Sequence, residues 1–207
     1  MKLKYQLKDN NFYYTNTDIS KNKFDIQDSQ IIHDIEQELL IKSYEIFLDE
    51  LDENTLFDEN YFKNLHKRTF ASLYDWAGVY RDFNMAKGES RFCQGAFVES
   101  SSKKIFEKLK EDNYLKDFEN RPKEEFAKKL AYYKCELNAL HPFYELNGRI
   151  TRMFFDMIVI FNGYKPIDYS TITPKQYIDC AIDCVQYADK SGFEKIILNG
   201  LHKIKPN

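Results

Sequence analysis

The stretch His141-Pro142-Phe143-Tyr144-Glu145-Leu146-Asn147-Gly148-Arg149-Ile150-Thr151-Arg152 sets a short polar loop between two apolar helical patterns. Before it, Phe126, Leu130, Tyr133, Leu137 and Leu140 recur at helical spacing, which predicts a buried stripe on a helix over about 122–140. After it, Ile150, Met153, Phe154, Met157, Ile158 and Phe161 form a second inward stripe. Pro142 halts the first helix near His141, and Asn147 is placed to cap the second. Two buried helices around one polar loop point to an all-α domain with its chemistry in that loop.

The loop residues have a common use. The N–H groups at 147–149 stand at a helix N-terminus, where anions bind. Arg149 and Arg152, three residues apart, can flank the same anion. His141 supplies a titratable base and Glu145 a hard oxygen ligand. Taken singly, a histidine before a proline is usually structural, and helical arginines are usually solvated or paired. Their concentration in one loop between buried helices favours a polyphosphate–metal site. A metal-dependent nuclease using His141 and Glu145 is a weaker alternative, because the sequence offers neither a second carboxylate cluster nor a basic face.

Further out, Asp28 or Ser29 opens a predicted helix to about Leu51, with Ile31, Ile32, Ile35, Leu39, Ile46 and Phe47 inward. A second covers Glu59 to Ser72, with Phe62, Leu65 and Phe70 inward, and Trp76-Ala77-Gly78 turns the chain. From Val79 to Phe97 a loose alternation around Lys87-Gly88-Glu89-Ser90 predicts a short β-hairpin over about 82–97. Another helix follows at 98–114, and Pro122 suits the first turn of the one after it. Residues 1–27 form an expected extended arm, and residues 28–207 a single domain.

Composition agrees. Only 7 Gly and 5 Pro in 207 residues leave room for long helices. With 30 Lys plus Arg against 33 Asp plus Glu, the net charge of −3 gives no global field for nucleic acid or an anionic membrane. The start MKLKYQLKDNN lacks the apolar run of a signal peptide. Met153 to Phe161, interrupted by Asp156, is too short to span a bilayer. Cys93, Cys135, Cys180 and Cys184 lack zinc-knuckle spacing and are expected as small buried hydrophobes in a reducing cytosol.

His141 to Arg152 resembles the signature of the Fic (filamentation induced by cAMP) family, H-x-F-x-[D/E]-[G/A]-N-[G/K]-R-x-x-R, matching at His141, Phe143, Glu145, Asn147, Gly148, Arg149 and Arg152. Leu65-His66, Tyr74-x-Trp76-Ala77-Gly78 and Lys87-Gly88-x-Ser90-x-Phe92-Cys93 are similar to segments before and through that family's flap hairpin. Tyr14-x-Asn16-Thr17-Asp18 and Lys21-Asn22-Lys23 resemble its upstream arm, so the likeness spans roughly residues 13–200.

The resemblance implies an all-α Fic-type core with the active-site loop between two central helices and a small hairpin flap. It implies an enzyme that moves AMP from ATP to a Ser, Thr or Tyr hydroxyl of a target protein. By the same likeness His141 is the general base, and Glu145 holds Mg²⁺ on the α- and β-phosphates. Asn147 and Gly148 cradle the α-phosphate, while Arg149 and Arg152 grip the β- and γ-phosphates. Phe143 anchors the loop. Lys87, Gly88, Ser90 and Phe92 belong to a flap that holds the target segment by strand addition. Gly148, where a kinase-like branch has Lys, favours AMP transfer.

Leu146 stands where the family usually has Gly or Ala, and a positive φ there would strain or narrow the loop. The alternative function is therefore a catalytically impaired nucleotide-binding module. Thr55-Leu56-Phe57-Asp58-Glu59-Asn60 fits the family's inhibitory pattern [S/T]-x-x-x-E-[G/N], whose Glu pairs with the second motif arginine, here Arg152. Its place at the first core helix favours coincidence. The expectation is a toxin-like bacterial cytoplasmic protein with a separate small antitoxin; delivery into another cell stays open.

Overall fold

The computed structural model describes residues 12–204 and the backbone of residues 5–7; the remainder of the expected arm, 1–4 and 8–11, lies outside the described residues. In chain order the elements begin with β1 (Tyr5–Leu7), α1 (Ser29–Asp49), α2 (Glu59–Phe70), β2 (Met85–Lys87) and β3 (Ser90–Arg91). They continue with α3 (Val98–Glu111), α4 (Lys123–Leu140), α5 (Asn147–Phe161), α6 (Pro174–Tyr187) and α7 (Ser191–Gly200). The fold is all-α with one small sheet, and no described helix is long and apolar enough to cross a membrane.

α4 and α5 form the centre. Phe126, Leu130, Tyr133, Leu137 and Leu140 are all buried, as are Ile150, Met153, Phe154, Met157 and Ile158; Phe161, at the helix end, is half-buried. α2 buries Phe62, Leu65 and Phe70 completely, and Asp58 caps it by accepting from the Tyr61 N–H. Pro122 stands just before α4 rather than in its first turn.

α1 is capped by Asp28, whose carboxylate accepts from Gln30 and Ile31 N–H groups, but its inner face is rotated from expectation. Ile31 and Ile46 are exposed, while Ile32, Glu36, Ser43 and Phe47 are buried. Apolar periodicity misplaces this face because the helix turns a carboxylate inward, toward α5.

The hairpin is shorter than expected. β2 and β3 pair antiparallel with Lys87 opposite Ser90, and Gly88 at φ +59° makes the two-residue turn. The return limb stops at Arg91, because Gly95–Phe97 coils into a 3₁₀ turn leading into α3. The hairpin has a third strand: β1 lies along β2, giving the order β1-β2-β3. The cysteine expectation also needs correcting. Cys135 of α4 and Cys184 of α6 are disulfide-bonded, their Cα atoms 5.1 Å apart where the helices pack together; Cys93 and Cys180 are free.

Candidate active site

The loop between α4 and α5 is held rigidly. α4 ends at His141 in the left-handed conformation, φ +46°. Phe143 is fully buried, its ring 4.0 Å from His66 and 5.4 Å from Phe62, which makes it an anchor. Asn147 is the first residue of α5 rather than its cap; Leu146 occupies the cap at φ +66°. The Asn147 side chain instead accepts from the Phe143 N–H and donates to the Phe143 carbonyl, both at 2.8 Å, closing the loop on itself.

Two buried side chains to which the sequence assigned no role support this loop. Arg81 is 1% exposed, and its guanidinium donates to the carbonyls of His141, Phe83, Cys93 and Leu140 at 2.6–3.0 Å. It therefore ties the end of α4 to both limbs of the hairpin. His66 accepts from the Gly78 N–H through Nδ1, so its Nε2 carries the proton and donates to the Glu145 carbonyl at 3.1 Å. Burial pushes the His66 imidazole down to about 4, which keeps it neutral in this role. The Leu65-His66 match marked His66 in the sequence without a role; nothing marked Arg81.

At the start of α5, the Arg149 and Ile150 N–H groups both donate to the Leu146 carbonyl, which leaves the N–H groups of Asn147 and Gly148 ahead of the first intrahelical bond. A Cβ built on Gly148 meets nothing within 4 Å, so this helix end faces open space. Beside it lies a cavity of about 530 Å³ lined by Tyr13, Asp18, Ser20, Ile32, His33, Glu36, Tyr74, Lys87, Glu145, Leu146 and Arg149, among others. That size suits a small-molecule ligand.

Within it, Arg149 donates to Glu36 at 2.6 Å, and Tyr74 donates to the other Glu36 oxygen at 2.6 Å. Glu145 accepts from the Tyr13 hydroxyl at 2.7 Å, and burial pushes its carboxyl up to about 7. The arm thus covers the loop, with Phe12 stacked on Tyr144 at 5.1 Å. No group of three or more His, Cys, Asp or Glu that could hold a metal is found among the described residues. Glu145 alone, a half-buried carboxylate lining this cavity, still fits Mg²⁺, which is commonly held by one or two carboxylates together with substrate phosphates.

His141 lies beyond the cavity lining, under the hairpin. The Phe92 ring stacks on its imidazole, centroids 3.9 Å apart and planes 14° from parallel. Desolvation, and then the charges of Arg81 and Lys87, push His141 down to about 3, so the ring is a neutral base. Lys87 lines the cavity, Gly88 turns the hairpin, and buried Ser90 accepts from Gln186 of α6 at 3.2 Å. Arg152 is not among the residues lining the cavity; it is half-buried, its guanidinium 5.5 Å from the Tyr177 ring centre on α6. Glu59, the acidic residue of the Thr55–Asn60 pattern, starts α2 and lies 3.9 Å from Lys63. Glu36 is the residue the sequence hid, because it sits among the apolar positions of α1.

Residues 56–159 match the family model described as Fic/DOC family. The chain is 30% identical over 180 residues to the probable protein adenylyltransferase y4lH of Sinorhizobium fredii, covering 87% of this chain and 90% of that one. It is 29% identical over 155 residues to the probable protein adenylyltransferase Fic of Escherichia coli, covering 74% of each. Among solved structures it resembles the BepC protein of Bartonella tribocorum with bound AMPPNP, with TM-score 0.80, 26% identity, and coverage of 94% of this chain and 98% of that one. The N-terminal Fic domain of a Bartonella quintana cell filamentation protein with bound ADP is similar, with TM-score 0.78, 25% identity, and coverage of 94% and 96%.

Proposed function

The chain belongs to the Fic/DOC family, and from that membership we propose that it is a protein adenylyltransferase, moving AMP from ATP to a Ser, Thr or Tyr hydroxyl of a target protein and releasing pyrophosphate. One observation carries the reading. The capping Leu146, Arg149 and the half-buried Glu145 line one cavity beside a helix N-terminus with open space before it, and a neutral imidazole lies beyond that lining, under the hairpin.

In this reading ATP enters beside Gly148. The N–H groups of Asn147 and Gly148 stabilise the charge on the α-phosphate. The Asn147 side chain, bonded to Phe143, holds the loop in shape rather than touching phosphate. Arg149 exchanges its bond to Glu36 for one to the outer phosphates, and Arg152 completes the grip. Mg²⁺, when bound, neutralises phosphate charge, and Glu145 is the residue that would hold it. His141 takes the proton of the attacking hydroxyl, and its low proton affinity in the free protein keeps it in the accepting form. The hairpin docks the extended target segment.

Regulation by a separate small antitoxin fits the same site. Glu59 stands near Lys63 at the start of α2, and a glutamate brought to Arg152 by a partner chain would compete with the outer phosphates. A second reading, an impaired nucleotide-binding module, rests on Leu146, which holds a positive φ and lines the cavity. The deciding experiment incubates the chain with bacterial lysate and ATP labelled at the α- or γ-phosphate. Adenylyl transfer gives labelled protein from the α label alone, lost in His141→Ala. Label from the γ position refutes it, and a thermal shift with ATP but no transfer selects the impaired module.

A further inference from the structure

The hairpin has two edges, and they are not equivalent. The outer edge of the return limb is taken up just past β3, where the Cys93 N–H donates to the Ala139 carbonyl of α4 at 2.9 Å, while on a face of the hairpin the Gln186 amide of α6 donates to Ser90 Oγ at 3.2 Å. The outer edge of β2 is met by β1, antiparallel, with Tyr5 opposite Lys87, Gln6 opposite Ala86 and Leu7 opposite Met85. The hydrogen-bond sense follows from the other side. Phe92 donates its N–H to the Met85 carbonyl at 3.2 Å, so Met85 points its backbone groups toward β3. Backbone direction alternates along an antiparallel strand, so Ala86 turns its N–H and C=O toward β1 and faces Gln6.

We infer that residues 5–7 occupy in cis the edge of the flap to which a target segment adds, so β1 is an internal stand-in that the target must displace. The inference rests on the reading of the hairpin as the target-docking flap. α4 takes up the outer side of the return limb at Cys93, so strand addition is directed to β2, where the chain has already placed a strand of its own. The strand is tethered closely: six positions after Leu7, the Tyr13 hydroxyl is fixed on Glu145 at 2.7 Å. Such a tether gives a high effective concentration at the edge. Three residues of pairing are nonetheless weak enough to open, because a pairing this short has little stability of its own. A partner that wins this edge offers an extended segment, held by main-chain bonds and carrying the acceptor hydroxyl.

The test uses the full chain. Gln6→Pro removes the one N–H that reaches the Ala86 carbonyl, whereas Gln6→Ala keeps it. Exchange of the Ala86 amide with D₂O, followed by NMR, is expected to be about tenfold faster in Gln6→Pro than in wild type or Gln6→Ala, with α5 amides unchanged as proof of folding. A synthetic peptide of residues 2–11, added at millimolar concentration, is expected to slow Ala86 exchange in Gln6→Pro and to leave wild type unaffected. Equal Ala86 exchange in wild type and Gln6→Pro overturns the inference, as does a peptide that restores no protection. Neither measurement uses ATP. A chain with this exchange pattern but no AMP transfer loses the proposed function and keeps the occupied edge; active transfer with insensitive exchange does the reverse.

Discussion

The guanidinium of Arg149 donates to the carboxylate of Glu36 at 2.6 Å, joining α5 to α1 across 113 residues of sequence. Both side chains are largely buried, at 21% and 11% exposure. Glu36→Gln keeps a hydrogen-bonding shape but withdraws the counter-charge, which costs roughly 1–3 kcal/mol for a pair this shielded. ATP phosphates would supply the missing charge. The variant is therefore expected to melt lower than wild type without nucleotide and to show a larger upward shift with ATP, read by differential scanning fluorimetry. Equal shifts would show that Arg149 does not meet the nucleotide.

Leu146 combines a cost and a gain at one position. At φ +66° a branched side chain costs about 1–2 kcal/mol, while burying it to 9% exposure returns roughly 1.5–3 kcal/mol. Leu146→Gly removes both and is expected within about 1 kcal/mol of wild type by urea unfolding. Leu146→Ala loses the burial and keeps the backbone cost, so it falls below the glycine variant by about 1 kcal/mol. Because Leu146 lines the cavity, the glycine variant is also expected to raise kcat/KM for ATP. An unchanged value would remove Leu146 from any part in phosphate binding.

The central helices were legible because their apolar stripes are local and periodic, and Phe126 to Leu140 needed no partner to be recognised. The loop was legible because Glu145, Gly148 and Arg149 concentrate on one segment whose flanks are buried. Glu36 was not, since its inward direction depends on where α1 rests against α5, which periodicity does not encode. Arg81 escaped for a related reason: its acceptors are carbonyls, and carbonyls carry no residue identity. β1 is only three residues long and finds its partner about eighty positions away, so no local pattern announces the pairing.

His66 makes stability depend on pH in a definite direction. Its folded proton affinity, lowered to about 4 by burial, lies below the ordinary value of 6.5. Above pH 6.5 both folded and unfolded states are neutral, and stability is unaffected. As pH falls from 6.5 toward 4, the unfolded chain binds a proton that the folded ring excludes, so the fold loses stability, about 2 kcal/mol by pH 5. His66→Gln keeps one donor and one acceptor without titrating. Its stability is expected to change less than that of wild type between pH 7 and pH 5 in urea titrations, and parallel curves would contradict the assignment.

Arg81 holds the loop after α4 to the hairpin through four carbonyls, from the end of α4, the entry to the hairpin and its exit. Lysine keeps the charge but cannot reach four acceptors spread around a planar fork. Arg81→Lys therefore leaves buried carbonyls without donors and is expected to cost roughly 2–4 kcal/mol. The functional consequence should be uneven. Arg81 is not among the residues lining the cavity of about 530 Å³ where ATP is proposed to bind, so the thermal shift produced by ATP should persist. His141 and Phe92 depend on the fixed spacing of loop and flap, so AMP transfer should fall by at least tenfold at saturating ATP. If transfer and ATP binding weaken in equal proportion, Arg81 supports the fold as a whole and has no particular part in aligning flap and base.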